Sequence, residues 1–187
     1  MNVYSSCFIA VALQQKYQEE FEKLLTDIKN IDANIETVQS TTPHITLYYL
    51  NKQSQYSIDK IISLVKPELN ILSNFSITVG GLGYFDQDNP KALFLNVIYP
   101  VILTDFNATL SEMLNMYGDV DNTHLFHPHL TAGRMAGNQA KESFNKNREK
   151  LRLRLDKIKW SFSFDEVVLY GVDSSKSPQH QEKLAVL

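Results

Sequence analysis

Two short stretches carry residue types that can move protons beside a charged oxygen. One is Pro43-His44-Ile45-Thr46-Leu47; the other is Phe126-His127-Pro128-His129-Leu130-Thr131-Ala132-Gly133-Arg134. Both read Pro-His-apolar-Thr, followed by an apolar or small residue. Side chains on a strand alternate between faces with a period of two. His44 and Thr46 therefore share one face of an extended segment, and His129 and Thr131 share one face of another. Ile45 and Leu130 point the opposite way, where they can be buried. Histidine has an unperturbed pKa of about 6.5, so one imidazole can serve as base while a second serves as acid near neutral pH. The threonine hydroxyls can donate to an oxygen that gains negative charge. One such triplet is ordinary in a strand. A duplicate, one copy in each half of the chain and each introduced by proline, asks for a functional reading.

The chain that must position them has 187 residues, which suits one domain or two intimately packed lobes with a substantial core. Its 43% apolar and 21% charged content is that of a globular protein, not of a disordered or fibrous one. A formal charge of −3 argues against a protein held on long duplex nucleic acid by bulk electrostatics. It leaves room for a small or terminal RNA substrate in a local pocket. Cys7 is the single cysteine and lies in the apolar run 7–13, so it reads as a small buried residue and no internal disulfide is possible. The first residues have no basic leader, and no apolar run reaches spanning length. A cytoplasmic protein without membrane contact is therefore expected.

Periodicity gives a strand over 6–13 and a helix over 15–29, with Tyr17, Phe21, Leu24, Leu25 and Ile28 at helical spacing. Short strands follow at 35–38 and 44–50, then a polar loop and a helix from Ser57 to about residue 72, kinked or ended at Pro67. Residues 75–79 and 92–98 read as a hairpin pair, with Gly80-Gly81-Leu82-Gly83 a bend between strands. Helices are expected over 104–117 and 139–155. A closing strand is expected over 160–170, and a polar loop over 173–182. Strands and helices in this order make an α+β protein of mostly antiparallel sheet with outer helices. The two motifs stand one in each half, which fits two pseudo-symmetric lobes facing across a central cleft, all within a single bilobal domain over 1–187.

The paired His-x-Thr motifs, in a chain of this size, resemble the 2H phosphoesterase superfamily, in particular its 2′-5′ RNA ligase-like, RNA 2′,3′-cyclic phosphodiesterase branch. The likeness extends over Ile77-Thr78-Val79-Gly80-Gly81-Leu82-Gly83-Tyr84-Phe85 and the closing Val167-Val168-Leu169-Tyr170. A serine often found soon after that strand's aromatic is here replaced by Gly171-Val172-Asp173-Ser174, a minor departure. The resemblance implies His44, Thr46, His129 and Thr131 as catalytic residues and needs no metal and no cofactor. It implies hydrolysis of 2′,3′-cyclic phosphates on RNA ends or nucleotides. Two alternatives stay open: a 2′,5′-linkage phosphodiesterase or 2′-5′ ligase, and a non-catalytic module that binds a nucleotide or RNA end. The expected partner is a small nucleotide or an RNA terminus with a cyclic phosphate or 2′,5′ linkage, and the expected state is a monomer.

Further candidates surround the motifs. Arg134 looks like a phosphate contact, although strand parity turns it away from His129; a bulge near Gly133 would bring it back. Tyr48 shares the face of His44 by parity, and Tyr49 stands five residues after His44, so either is a candidate to stack on a base. Phe85 and Phe126 are weaker candidates of the same kind. His124, His127 and His129 suggest a zinc cluster, but that reading lacks a nearby cysteine or carboxylate and leaves the first motif unexplained. The basic run from Lys146 to Lys159 alternates with leucines and reads as a solvated helix end.

Overall fold

The computed structural model describes residues 3–86, 88–117, 125–173 and 180–187. Nine strands and four α-helices occur among them. Their order is β1 (Val3–Ala12), α1 (Gln18–Ile31), β2 (Glu36–Thr37), β3 (His44–Ser54), α2 (Gln55–Val65), β4 (Ser76–Tyr84), β5 (Ala92–Ile98), α3 (Ile102–Leu114), β6 (His129–Arg134), α4 (Gly137–Leu155), β7 (Trp160–Ser163), β8 (Val167–Asp173) and β9 (His180–Val186). The protein is α+β. Every strand pairing is antiparallel, and the strands form one sheet in the order β7-β4-β5-β6-β3-β1-β8-β9, with β2 added on β6. The expected lobes are the two halves of this sheet. They meet where β3 pairs with β6.

Helices back one face. α2 and α3 lie against β3, while α1 and α4 pack on each other behind the other half. The buried faces of these helices, such as Phe21, Leu24 and Ile28 of α1, join Ile45, Leu47 and Leu130 in one continuous core. The opposite face carries a smaller apolar cluster of Phe8, Ala10, Val168 and Tyr170. His44 and Thr46 stand on that second face.

Several expectations change in detail, each for a local reason. The first helix is preceded by a 3₁₀ turn over Gln15–Tyr17. β3 continues through the supposed polar loop to Ser54, so α2 begins at Gln55 and its N-cap is Ser54, not Ser57. The Ser54 hydroxyl accepts from the Ser57 amide at 3.3 Å. Pro67 sits near the start of a 3₁₀ segment, Lys66–Leu72, that follows the end of α2. Gly80 to Gly83 do not separate two strands; β4 passes through them with Gly81 as an extra residue at φ +75°, a region that glycine enters freely. The closing strand is two strands in different halves of the sheet: β7 at one edge, beside β4, and β8 between β1 and β9. Part of the supposed polar tail is β9; residues 174–179 lie outside the described residues, as do residues 118–124, where the run from Gly118 to Thr123 reads from sequence as a loop.

Two irregularities decide where the motif strands point. Along β3, the register against β1 slips between Thr46 and Tyr48, leaving Leu47 as an extra residue. Along β6, the register against β5 slips between Thr131 and Gly133, leaving Ala132 as an extra residue. Each bulge lies three residues after its histidine. Each therefore buries two successive residues, Leu47 with Tyr48 and Ala132 with Gly133, and turns the next one, Tyr49 or Arg134, outward. A bulge frees a backbone carbonyl from the ladder, and a buried carbonyl needs a donor. The Leu47 carbonyl accepts from Asn107 Nδ2 of α3 at 2.7 Å, and the Ala132 carbonyl accepts from the Val38 amide at 3.1 Å. Asn107 is thus a pin for the first bulge. Replacing it by leucine should leave that carbonyl unpaired and lower unfolding free energy by about 1–3 kcal/mol. Chemical denaturation of Asn107→Leu against the parent protein checks this.

Candidate active site

β3 and β6 run antiparallel with Ile45 paired to Leu130. Continuing that register by one residue each way sets His44 across from Thr131 and Thr46 across from His129. The two histidines lie on a diagonal, each beside the other motif's threonine. All four line a single cleft of about 710 Å³ on the sheet face away from the helices, together with Tyr49 and Arg134. The four motif side chains are half-buried, whereas Ile45 and Leu130 beneath them are in the core.

Each imidazole is held the same way. His44 Nδ1 lies 2.8 Å from the Thr42 carbonyl, and His129 Nδ1 lies 2.8 Å from the His127 carbonyl. A carbonyl only accepts, so Nδ1 carries the proton and Nε2 is left to exchange protons. The prolines explain the anchoring carbonyls. Proline fixes its own φ and holds the residue before it extended, so Thr42-Pro43 and His127-Pro128 each present a carbonyl two residues ahead of the histidine. The sequence shows these prolines plainly, but reading them only as strand starters misses this part. Aromatic rings back both imidazoles. Phe8 and Tyr170 lie 4.7 and 5.4 Å from His44, and Phe94 and Phe85 lie 4.7 and 5.1 Å from His129.

Burial holds both imidazoles below their ordinary pKa. The Thr42 and His127 carbonyls oppose the shift. Charge on neighbouring groups reinforces it: His129 and Arg134 act on His44, and His127 and Arg134 act on His129. Both shifts favour the neutral imidazole. An anion placed between them and Arg134 would favour a proton on one of them.

The other candidates separate cleanly. Arg134 reaches the cleft because of the bulge at Ala132. Tyr49 lines the cleft and is 59% exposed. Tyr48 is corrected: the bulge at Leu47 reverses its parity, and it lies in the core, where burial raises its hydroxyl pKa. Phe85 lies edge-on to His129, and Phe126 packs against Tyr99. His127 contributes its carbonyl, and its exposed ring sits 6.2 Å from that of His129. His124 lies outside the described residues, and no group of three metal-ligating side chains occurs among those described. In the basic run, Arg152 pairs with Glu149 and Asp156, and Arg154 pairs with Asp27, on the far side of the sheet from the cleft. Burial pushes the Cys7 thiol up to about 12.

A family model described as the 2′-5′ RNA ligase superfamily matches residues 15–176, which include both motifs. The chain belongs to that superfamily. Among curated relatives, a Methanothermobacter thermautotrophicus RNA 2′,3′-cyclic phosphodiesterase is 26% identical over 77% of this chain and 74% of its own length. A Thermotoga maritima protein of the same description is 24% identical over 68% of each. The fold matches a Thermus thermophilus structure with a TM-score of 0.75 at 14% identity, over 97% of this chain and 96% of that one. It also matches E. coli LigT, solved in complex with 3′-AMP, with a TM-score of 0.71 at 17% identity, over 100% and 98% of the two chains.

For this superfamily member the lowered histidine pKa values have a visible consequence for stability. The unfolded chain takes up protons at histidine near pH 6.5, while the folded chain resists them until lower pH. Stability should thus be complete above about pH 6.5 and decline as pH falls below it. Unfolding free energy measured from pH 7.5 to 5 should show this slope. His129→Gln should flatten it by removing one of the groups responsible.

Proposed function

We propose that the protein is a phosphodiesterase that opens 2′,3′-cyclic phosphates, on RNA ends or on nucleotides, by acid–base catalysis with His44 and His129 and without a metal ion. The observation that carries the reading is the diagonal His-x-Thr pair on one cleft with Arg134 turned in beside it. The names of the curated relatives and of the LigT complex support a nucleotide or RNA end as ligand. One neutral imidazole takes a proton from water through Nε2 as the water oxygen attacks phosphorus. The other, protonated, gives its proton to the sugar oxygen as the P–O bond breaks. One water is consumed, one phosphomonoester is formed, and the proton count is restored by exchange between the histidines and solvent. Thr46 and Thr131 donate to the non-bridging oxygens, and Arg134 counters their charge. Tyr49 offers a ring face for the base. An alcohol in place of water would run the ligation sense of the same chemistry. Both motifs come from one chain, so the active unit is a single bilobal domain acting as a monomer.

Turnover of a 2′,3′-cyclic nucleotide should proceed in a divalent-metal chelator, because histidines supply both acid and base. His44→Ala and His129→Ala should each lower kcat by about 10²–10⁴, and the double variant should fall well short of the product of the two losses. Thr46→Val and Thr131→Val should cost about 10–10² each. Initial rates on folded variants, verified by circular dichroism, decide the matter. Full turnover in either histidine variant refutes the mechanism.

The pH–rate profile carries a separate sign. One histidine must be protonated, and both have lowered pKa values, so kcat/KM in the free enzyme should peak on the acid side of about pH 6.5. Arg134→Ala removes a charge that depresses both pKa values, so it should move the alkaline limb toward higher pH while raising KM.

A further inference from the structure

β2 and β6 pair with Glu36 opposite Arg134. Residues directly opposite in an antiparallel pair send their side chains to the same face, so this carboxylate and this guanidinium stand side by side. Both are exposed and both line the cleft. Among the described residues no ion pair joins them. The guanidinium instead acts on His44 and His129. Glu36 is thus an acceptor-only group left facing a cleft that receives an anion.

Charge along the rest of the cleft sharpens the point. Arg134 is the one lysine or arginine, and Glu36 the one acidic residue, among the described residues that line it. With both imidazoles neutral, the described lining has no net charge. Arg134 can balance the single charge of a cyclic phosphodiester. A second phosphate would find no further cation among these residues and would meet Glu36. Lys91, which precedes β5, is exposed and its carbonyl accepts from the Met135 amide at 2.9 Å; it is not among the described residues that line the cleft.

We infer, building on the phosphodiesterase reading, that the preferred substrate is a nucleoside 2′,3′-cyclic monophosphate with a free 5′ hydroxyl, and that Glu36 discriminates against the second phosphate of a longer strand. A neutral 5′ hydroxyl can donate to a carboxylate, whereas the phosphodiester that replaces it in an oligonucleotide is repelled. The cleft then selects fully released nucleotides over strand ends. The preceding reaction in such a sequence is cleavage of RNA by its own 2′ hydroxyl down to single nucleotides, because that chemistry leaves a cyclic phosphate on one fragment and a 5′ hydroxyl on the other.

The test compares kcat/KM for cytidine 2′,3′-cyclic phosphate with that for a tetraribonucleotide ending in cytidine 2′,3′-cyclic phosphate. It uses the parent protein, Glu36→Gln and Glu36→Lys, each checked for an unchanged thermal midpoint. The parent should favour the mononucleotide by about 5-fold or more, from like-charge repulsion in the oligonucleotide complex. Glu36→Gln should raise the oligonucleotide-to-mononucleotide ratio by about 5- to 10-fold, and Glu36→Lys should raise it further. Any parent preference for the tetranucleotide overturns the inference, as does a ratio unmoved by both substitutions. Turnover of both substrates with that pattern leaves the phosphodiesterase reading standing; turnover of neither removes it as well.

Discussion

The site depends on how two strands accommodate one extra residue each. β3 and β6 must bury Ile45, Leu47, Leu130 and Ala132 against helices while presenting polar and aromatic side chains to the cleft. A regular strand cannot do this for a residue five places after the histidine, because odd spacing sends it to the wrong face. The bulge at Leu47 and its counterpart at Ala132 reset the parity. The outcome is two imidazoles and two hydroxyls at the sheet's midline, with Tyr49 on one side and Arg134 on the other. The bulge carbonyls are satisfied by unlike partners, a helix side chain in one half and the backbone beside β2 in the other. The pseudo-symmetry is therefore one of geometry around the four motif side chains, not of the supports beneath them.

Electrostatics follow from that placement. Half-buried imidazoles beside an arginine favour the neutral form, with Nδ1 committed to a carbonyl. An anion entering the cleft changes the balance, since it offsets Arg134 and supplies a partner for an imidazolium. In the proposed mechanism, the proton needed for leaving-group departure is thus favoured by substrate binding itself. Aromatic rings behind each histidine restrict water on that side and leave the cleft side open to exchange.

Much of this was legible in the residues. The period-two motif, its apolar backing, the α+β class and the hairpin of β4 and β5 come directly from local pattern. Arg134 needed a bulge, and Gly133 pointed to one because glycine admits it easily; in the structure a side chain there would meet Ile35 Cγ2 at 2.6 Å. The same slip in β3 carries no glycine, only Leu47 and Tyr48, so Tyr48 was placed by simple alternation on the wrong face. Ser54 and Ser57 are equally good caps in isolation; the strand running directly into α2 chooses Ser54. Trp160 to Tyr170 looks like one strand because both pieces are apolar and alternate. Only long-range pairing shows that β7 belongs to one half of the sheet and β8 to the other. Asn107 gives no local signal at all, since its role exists only once a bulge lies beneath α3.

The way the chain is threaded has a consequence for its birth. The half containing β4, β5, β6 and β7 is drawn mostly from one continuous span, so its ladder closes through nearby neighbours. The half containing β1 and β3 waits for β8 and β9, which arrive more than a hundred residues after β1. During synthesis, β1 has one unsatisfied edge for most of that interval. Contacts of such long sequence separation form slowly and late. The two histidines are thus supported by halves that mature at different times, and a ribosome-bound chain stopped before β8 should hold the second motif in place while the first still lacks its backing of Tyr170.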